Sequence, residues 1–192
     1  MKFFDSKTLI AQGITEPSLS RKYPYQRIPD HYRKTLRKEL WDFSQDSAGV
    51  SITFQTNSSK ILLKWKVKID FKMNHMTNTA IKGLDLYEFK HNNWIYASTG
   101  IPNNKKNEQV LFQNKNDIMR KFRLHLPLYD IITDLKIGID SKSEFINSKT
   151  ESKTIVFYGT SITQGGCASR PGLAHTNIIS RNTNYNCINF GF

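Results

Sequence analysis

Short runs of alternating apolar and polar residues fill the middle of the chain, from residue 50 to residue 139. They are rich in β-branched and aromatic residues, and Asn, Ser, Gly and Pro clusters separate them, as is typical of strands joined by turns. The predicted strands cover residues 50–55, 60–69, 84–89, 94–97, 109–112, 121–126 and 134–139. Several short strands at this spacing favour an antiparallel, jelly-roll-like β-sandwich, which we expect to be a domain over residues 1–145.

Two segments flank these strands and lack their pattern. Residues 1–49 are predicted to be irregular, with three prolines as breakers, apart from one short basic helix over residues 30–40 that has Asp30 as its N-cap. Residues 141–153 are polar and without periodicity, so they are predicted to form a linker.

A second type of pattern follows the predicted linker. Residues 154–158 read as a buried strand, and a glycine turn then leads to Ser161. A helix is predicted over residues 171–181 and a second strand over residues 185–190. This order predicts the start of a parallel α/β domain over residues 152–192. Ligands of such sheets bind at the carboxyl ends of the strands, so Ser161 lies where a nucleophile would lie.

The glycines around Ser161 exclude three common loops. A phosphate-binding loop needs a lysine after its second glycine, and here Gly166 and Cys167 follow Gly165. The Gly-x-Gly-x-x-Gly fingerprint of dinucleotide-binding domains is absent. The nucleophile elbow Gly-x-Ser-x-Gly is not matched, because Thr163 takes the place of its last glycine.

Two strings resemble a known family. The run GTSITQGGCASRPG, residues 159–172, resembles the first block of the SGNH (GDSL-type) esterases and acylhydrolases, with Thr160 in the place of the Asp in the family name. The string Gly83-Leu-Asp-Leu-Tyr87 resembles the GxDLY signature of a β-domain found ahead of certain SGNH-type esterases. Residues 74–76 and 126–129 also look like that domain. The resemblance implies a β-sandwich followed by the truncated start of a flavodoxin-like SGNH hydrolase domain.

The resemblance also implies a function and a set of site residues. The function is carboxylic-ester hydrolysis of small-molecule or carbohydrate esters, without a metal or an organic cofactor. Ser161 would be the nucleophile, and its backbone N–H would be an oxyanion donor. The end of the chain, residues 187–192, looks like the approach to the family's second block. The oxyanion Gly and Asn and the catalytic Asp and His are then expected beyond Phe192, so we expect this chain alone to be inactive.

The histidines and the signature aspartate need separate interpretations. None of His75, His91, His125 and His175 matches the catalytic histidine of the family, which lies far downstream. Asp85 lies beside aromatic residues of its predicted strand, and a buried aspartate must be hydrogen-bonded or ion-paired. It is either a structural residue of the sheet or a contributor to the substrate cleft.

Two other classes of function compete with the esterase. A net charge of +12 suggests nucleic-acid binding, but Lys64 and Lys66 alternate with Trp65 and Val67, as on the solvated face of a strand. We therefore expect no nucleic-acid partner. The second alternative is a non-catalytic module, in which the β-sandwich binds a carbohydrate or another polymer and the α/β segment is only a tether.

The remaining observations concern the compartment. Cys167 and Cys187 are the only cysteines and are expected to be free thiols. The first residues contain no apolar segment typical of a signal peptide, so the compartment is cytoplasmic by default, or secreted or periplasmic if the start is truncated. No apolar run approaches membrane-spanning length. The sequence carries no signal for the oligomeric state.

Overall fold

The computed structural model describes residues 1–5, 7–147, 153–183 and 185–192. Its strands are β1 (Lys2–Asp5), β2 (Ala11–Gln12), β3 (Ser51–Thr56), β4 (Lys60–Val67), β5 (Leu84–Lys90), β6 (Asn93–Gly100), β7 (Lys106–Gln113), β8 (Arg120–His125), β9 (Ile132–Ile139), β10 (Phe145–Asn147), β11 (Thr154–Gly159) and β12 (Asn186–Gly191). Its helices are α1 (Lys38–Ser44), α2 (Asn78–Lys82), α3 (Ser161–Gln164) and α4 (His175–Thr183), with 3₁₀ turns at Asp30–Lys34 and Pro171–Leu173.

Two antiparallel sheets form the predicted sandwich. One has the strand order β1-β9-β4-β7, and the other has the order β10-β3-β8-β5-β6, with β2 pairing to the edge of β3. The alternating residues of both sheets fill one apolar core, in which Phe54, Trp65 and Ile137 are almost completely buried. All seven strands predicted between residues 50 and 139 are present, and the predicted β-sandwich is confirmed.

The second half begins a parallel sheet, as expected. The prediction that residues 154–158 form a buried strand is wrong: none of them is buried, and Tyr158 is 80% exposed, because among the described residues β11 pairs only with β12. Strands β11 and β12 pair in parallel, with Thr154 opposite Asn186 and Gly159 opposite Gly191. Helices α3 and α4 lie between them in the chain. This is a strand–helix–strand unit with both carboxyl ends at one edge of the sheet.

The flanking segments differ from the prediction. Residues 1–49 are not irregular throughout, because β1 pairs with β9 and β2 pairs with β3. The single basic helix is wrong: a 3₁₀ turn with Pro29 at its N-cap ends at Lys34, and α1 starts only at Lys38. The large buried side chain of α1 is that of Trp41, one residue beyond the predicted helix, and its burial explains why the helix forms there.

The predicted linker is also partly a strand. Residues 145–147 pair with β3, and the ring of Phe145 stacks on that of Phe4 with centroids 4.0 Å apart. The linker prediction is wrong for these three residues because that stacking and the pairing with β3 outweigh the polar composition around them. Residues 148–152 of the predicted linker lie outside the described residues.

Helix α4 buries its polar side. Thr176, Asn177 and Ser180 are buried, whereas Leu173 of the preceding 3₁₀ turn is 40% exposed. Leu173, Ile178 and Ile179 lie roughly on one side of the helix predicted over residues 171–181, but Ile178 and Ile179 are only half-buried. The reason is that α4 packs on a hydrogen-bonded surface, which is described below. Among the described residues, no helix is both long enough and apolar enough to cross a membrane.

Candidate active site

Ser161 is the first residue of helix α3, directly after strand β11. Thr160, in an extended conformation, is the N-cap, and the side chain of Ser161 is exposed. Gly159 at the end of β11 pairs with Gly191 at the end of β12, and the N–H of Phe192 donates to the carbonyl of Gly159 at 3.2 Å. The serine and the carboxyl end of β12 therefore share one edge of the sheet.

Glycines allow the turn around Ser161 to be tight. We call residues 160–166 the serine turn. Gly165 ends α3 in the left-handed conformation with φ of 119°, where a side chain would be strained. The backbone N–H groups of Gly165 and Gly166 both donate to the carbonyl of Ser161, at 3.1 and 2.7 Å. A Cβ on Gly191 would overlap the backbone nitrogen of Gln164, so the turn rests directly on β12.

The sandwich contributes polar groups to the serine turn. The hydroxyl of Tyr129 donates to the carbonyl of Ser161 at 2.9 Å. The fully buried amide of Gln164 donates through Nε2 to a carboxylate oxygen of Asp46 and to the carbonyl of Leu128, each at 2.9 Å. Burial, reinforced by Asp46, raises the pKa of Tyr129 to about 12, so its hydroxyl stays protonated at neutral pH. Residues 126–129, which resemble part of the β-domain, thus touch the turn.

Arg27 holds the end of strand β12. Its buried guanidinium donates through Nη1 to the carbonyls of Asn189 and Gly191, both at 2.8 Å. It also donates through Nε to the carbonyl of Asp46 at 3.1 Å and through Nη2 to that of Phe43 at 2.6 Å. Burial lowers the pKa of Arg27 to about 10, so the group remains charged at neutral pH.

Asp46 is a buried residue that contacts both Arg27 and Gln164. Burial raises its pKa to about 7, although the charge of Arg27 and the hydrogen bond from Gln164 act in the opposite direction. Its backbone carbonyl binds Arg27, and its side chain binds Gln164. One residue therefore connects the support of the β12 end with the support of the serine turn.

The signature aspartate binds the loop that follows the serine turn. The carboxylate of Asp85 accepts hydrogen bonds from Nη1 of Arg170 at 2.7 Å, from the N–H of Gly172 at 2.8 Å and from the hydroxyl of Thr99 at 2.6 Å. Nη1 of Arg170 also lies 2.7 Å from the hydroxyl of Tyr87. Because both oxygens of the buried carboxylate have partners, the structural interpretation of Asp85 fits better than a role in the cleft.

Helix α4 packs against strands β5 and β8 of the sandwich, next to Asp85. The guanidinium of Arg181 lies 3.9 Å from the ring centroid of Tyr87 and 3.1 Å from Nε2 of His125. Burial and the neighbouring charge of Arg181 hold the pKa of His125 well below its usual value, so its neutral ring can accept that hydrogen bond. Arg123 donates to the carbonyl of Ser180, near the end of α4, at 3.2 Å.

The other candidate residues are not assembled around Ser161. His75 and His91 are exposed, and the ring of His175 lies 5.9 Å from that of Phe157. Within the described ranges, neither an imidazole nor a carboxylate hydrogen-bonds the Ser161 hydroxyl, and no cluster of three metal-ligating side chains occurs. Both cysteines are free thiols, as predicted; Cys167 is exposed and Cys187 is buried.

Sequence reasoning missed several residues that connect the sandwich with the serine turn and with the end of β12. Arg27 and Asp46 lie in a segment without periodicity, and the partners that join them to the second half, Asn189, Gly191 and Gln164, follow more than a hundred residues later. Arg170 lies inside the string that resembles the first block, but the string does not show which partner it binds. Tyr129 lies in a string that carried a clue, because residues 126–129 resemble the β-domain.

Comparison with protein families gives two matches. Residues 1–145 match the family described as the N-terminus of SGNH-hydrolase-type esterases. Residues 152–192 match the GDSL-like lipase/acylhydrolase family. A search of curated proteins finds no match.

Solved structures show the same fold. A protein from Bacteroides ovatus ATCC 8483 described as a GDSL-like lipase is 34% identical, with a TM-score of 0.91 over 99% of this chain and 56% of its own. The salicylyl-acyltransferase SsfX3 from a tetracycline biosynthetic pathway is 13% identical, with a TM-score of 0.73 over 100% of this chain and 55% of its own.

A third structure extends the fold comparison. The acetyl xylan esterase Est2A from the rumen bacterium Butyrivibrio proteoclasticus is 11% identical, with a TM-score of 0.60 over 100% of this chain and 49% of its own. The chain therefore spans about half the length of these three solved structures.

Proposed function

Since this chain belongs to the SGNH-hydrolase-type esterases, with their N-terminal domain followed by a GDSL-like lipase/acylhydrolase segment, we propose that it is the N-terminal part of a serine carboxylic-ester hydrolase. The observation that carries the proposal is the position of Ser161 at the turn between β11 and α3, inside the first-block string. A serine there projects at the carboxyl edge of a parallel sheet, where ligands of such sheets bind.

Ser161 would attack the carbonyl carbon of the ester. Its hydroxyl is a weak nucleophile until a base removes the proton, and that base needs a third group to orient it. The Ser161 N–H lies at the start of α3, where backbone N–H groups have no partner within the helix, so it could donate to the developing oxyanion. The new bond joins Oγ to the acyl carbon, the alcohol leaves with the proton from the base, and water later releases the acid.

The remaining catalytic groups are proposed to lie in further sequence of the gene product. From the family resemblance we expect a glycine N–H and an asparagine of the oxyanion hole, and an Asp-x-x-His pair, in sequence beyond Phe192. We therefore propose that the 192-residue chain alone has at most residual activity, because removing triad members leaves little of the catalysis. Reading the codons after Phe192 tests this directly: absence of an Asp-x-x-His pair would remove the esterase assignment.

For the substrate we propose a small-molecule or carbohydrate ester. The fold shared with an acetyl xylan esterase supports an acylated carbohydrate as the first substrate to try. The binding-module alternative is less well supported, because the sandwich face around Asp85 and Tyr87 is covered by residues 170–181 and offers no open sugar-binding surface there.

The test is ester hydrolysis by the gene product that contains this chain and its downstream sequence. A nitrophenyl acetate and an acetylated xylo-oligosaccharide are suitable substrates. Turnover should disappear in Ser161→Ala and persist in Ser169→Ala, which removes an exposed serine eight residues further along the same loop. Turnover that survives Ser161→Ala would exclude Ser161 as the nucleophile, and sugar binding without turnover would favour the binding module.

A further inference from the structure

We propose that Tyr129 and Asp46 are positioning residues for Ser161, so that the sandwich sets the geometry of the serine turn and is not only its neighbour. The proposal rests on the proposed function of Ser161. It extends that function to two residues that lie outside the family's first block. The contacts that carry it are short, partly buried and made from the sandwich side to both ends of helix α3.

The first contact acts on Ser161 itself. Its carbonyl accepts three hydrogen bonds: two come from Gly165 and Gly166 in the turn, and the third comes from the hydroxyl of Tyr129 at 2.9 Å. The carbonyl and the Cα of Ser161 belong to one peptide plane. Fixing that plane limits the backbone rotation that would redirect both Oγ and the N–H of the serine. The Tyr129 hydroxyl anchors this plane to a different domain.

The second contact acts on the other end of α3. Helix α3 has four residues, and a helix this short is not stable without tertiary contacts. Gln164 provides one, because its buried amide donates to Asp46 and to the carbonyl of Leu128. Asp46 is almost completely buried, so this hydrogen bond is protected from competing water.

The third contact links Asp46, through Arg27, to the carboxyl end of strand β12. The carbonyl of Asp46 accepts from Arg27, which donates to the carbonyls of Asn189 and Gly191. The proposed oxyanion groups must lie about 3 Å from the reacting oxygen, so a small displacement between the two strand ends costs rate. Residues 27 and 46 thus fix the edge at which substrate would bind.

The decisive variant is Tyr129→Phe, which removes the hydroxyl and keeps the ring. The ring packs in an apolar cluster with Met76, Ile81 and Leu128, so the fold should be retained. The matched control is Tyr96→Phe, whose hydroxyl lies 3.0 Å from that of Thr99 on an exposed hairpin. The supporting variant is Gln164→Met, which removes the amide that binds Asp46.

Two measurements separate the positioning role from a purely structural one. In the gene product with its downstream sequence, Tyr129→Phe should lower kcat about tenfold and change KM less than about twofold, because only the orientation of the nucleophile changes. In the 192-residue chain, exchange of the Gly165 and Gly166 amide protons should become about fivefold faster, because their shared acceptor is less restrained. Gln164→Met should act in the same direction, and Tyr96→Phe should leave both measurements at the wild-type value.

The outcomes distinguish this proposal from the proposed function. Unchanged kcat and unchanged amide exchange in Tyr129→Phe would overturn the positioning role even if Ser161→Ala is inactive. Equal losses in Tyr129→Phe and Tyr96→Phe would also overturn it, since the effect would not be specific to the turn. If the wild-type protein does not hydrolyse esters, the proposed function fails, and the amide exchange alone decides whether Tyr129 orders the turn.

Discussion

The carboxylate of Asp85 in strand β5 lies 2.7 Å from Nη1 of Arg170 in the loop after the serine turn. The aspartate side chain is completely buried, and that of the arginine is 22% exposed. This ion pair joins the GxDLY signature to the string that resembles the first SGNH block. The two motifs that reveal the family are therefore bonded to each other.

Asp85→Asn should lower the free energy of unfolding by about 1–3 kcal/mol. The amide can still accept from Gly172, but the charge that pairs with Arg170 is lost. Because Arg170 is partly exposed, the loss in the free energy of unfolding should be smaller than for a fully buried ion pair. Urea unfolding measures the change. Asp42→Asn, which breaks the exposed Lys38–Asp42 pair, is the control and should have no measurable effect, whereas equal effects would contradict the expectation.

Arg27→Lys should not preserve stability, although it preserves charge. The planar guanidinium reaches four carbonyls, which a single ammonium group cannot do, and the unpaired carbonyls would stay buried. We expect the free energy of unfolding to fall by about 2–4 kcal/mol. Chemical denaturation tests this against Arg33→Lys, an exposed arginine in the neighbouring 3₁₀ turn. A loss below about 1 kcal/mol in Arg27→Lys would show that the bonds contribute little.

Asp46 should give stability a pH dependence of known sign. Its pKa is about 7 in the folded protein and about 3.9 in an unfolded chain. Between these values the folded state keeps the proton and the unfolded state has lost it, so a rise from about pH 4 to about pH 7 lowers the free energy of unfolding. Above pH 7 this contribution is constant.

The variant Asp46→Asn has no titratable carboxyl group at this position, so its free energy of unfolding should not show the pH-dependent contribution of Asp46. Its Tm relative to wild type should therefore rise from about pH 4 to about pH 7 and then level off. Thermal unfolding across this range is the measurement, and Asp117→Asn on the exposed surface controls for the loss of one negative charge. A difference in Tm that does not vary with pH would contradict the raised pKa.

Gly191→Ala should disturb the serine turn. The added Cβ would overlap the backbone of Gln164 and Thr163, and backbone atoms cannot rotate away as a side chain can. We expect a loss of more than about 2 kcal/mol in the free energy of unfolding. Gly100→Ala is a milder comparison, because its nearest neighbour is a ring carbon of Trp65 at 3.1 Å. Similar losses in both variants would argue against close packing of α3 on β12.

Local patterns predicted the regular parts of this fold. The alternation of Lys64 and Lys66 with Trp65 and Val67 locates a half-buried strand, and the glycine after residues 154–158 locates the turn that carries Ser161. Each of these signals lies within a few neighbouring residues, so it can be read without knowing the tertiary structure. The role of Ser161 as a nucleophile stays a prediction.

Long-range polar contacts could not be predicted in this way. Arg27 is one arginine among 28 basic residues, and nothing near it in sequence indicates that Asn189 and Gly191 accept its hydrogen bonds. The buried side of α4 was missed for the same reason, since Thr176 and Ser180 are buried by partners on other elements and not by their own hydrophobicity.

The polar side of α4 has a consequence for engineering. Apolar surfaces of similar shape can often replace one another, but a surface of Thr176, Asn177 and Ser180 fits only partners whose donors and acceptors lie at matching places. Arg123 is such a partner on the sandwich. A chimaera that joins this sandwich to the second half of a distant relative would therefore also need the residues of α4 that contact the sandwich. Recombination between family members should succeed only when the contacting residues of α4 and of the sandwich come from the same parent.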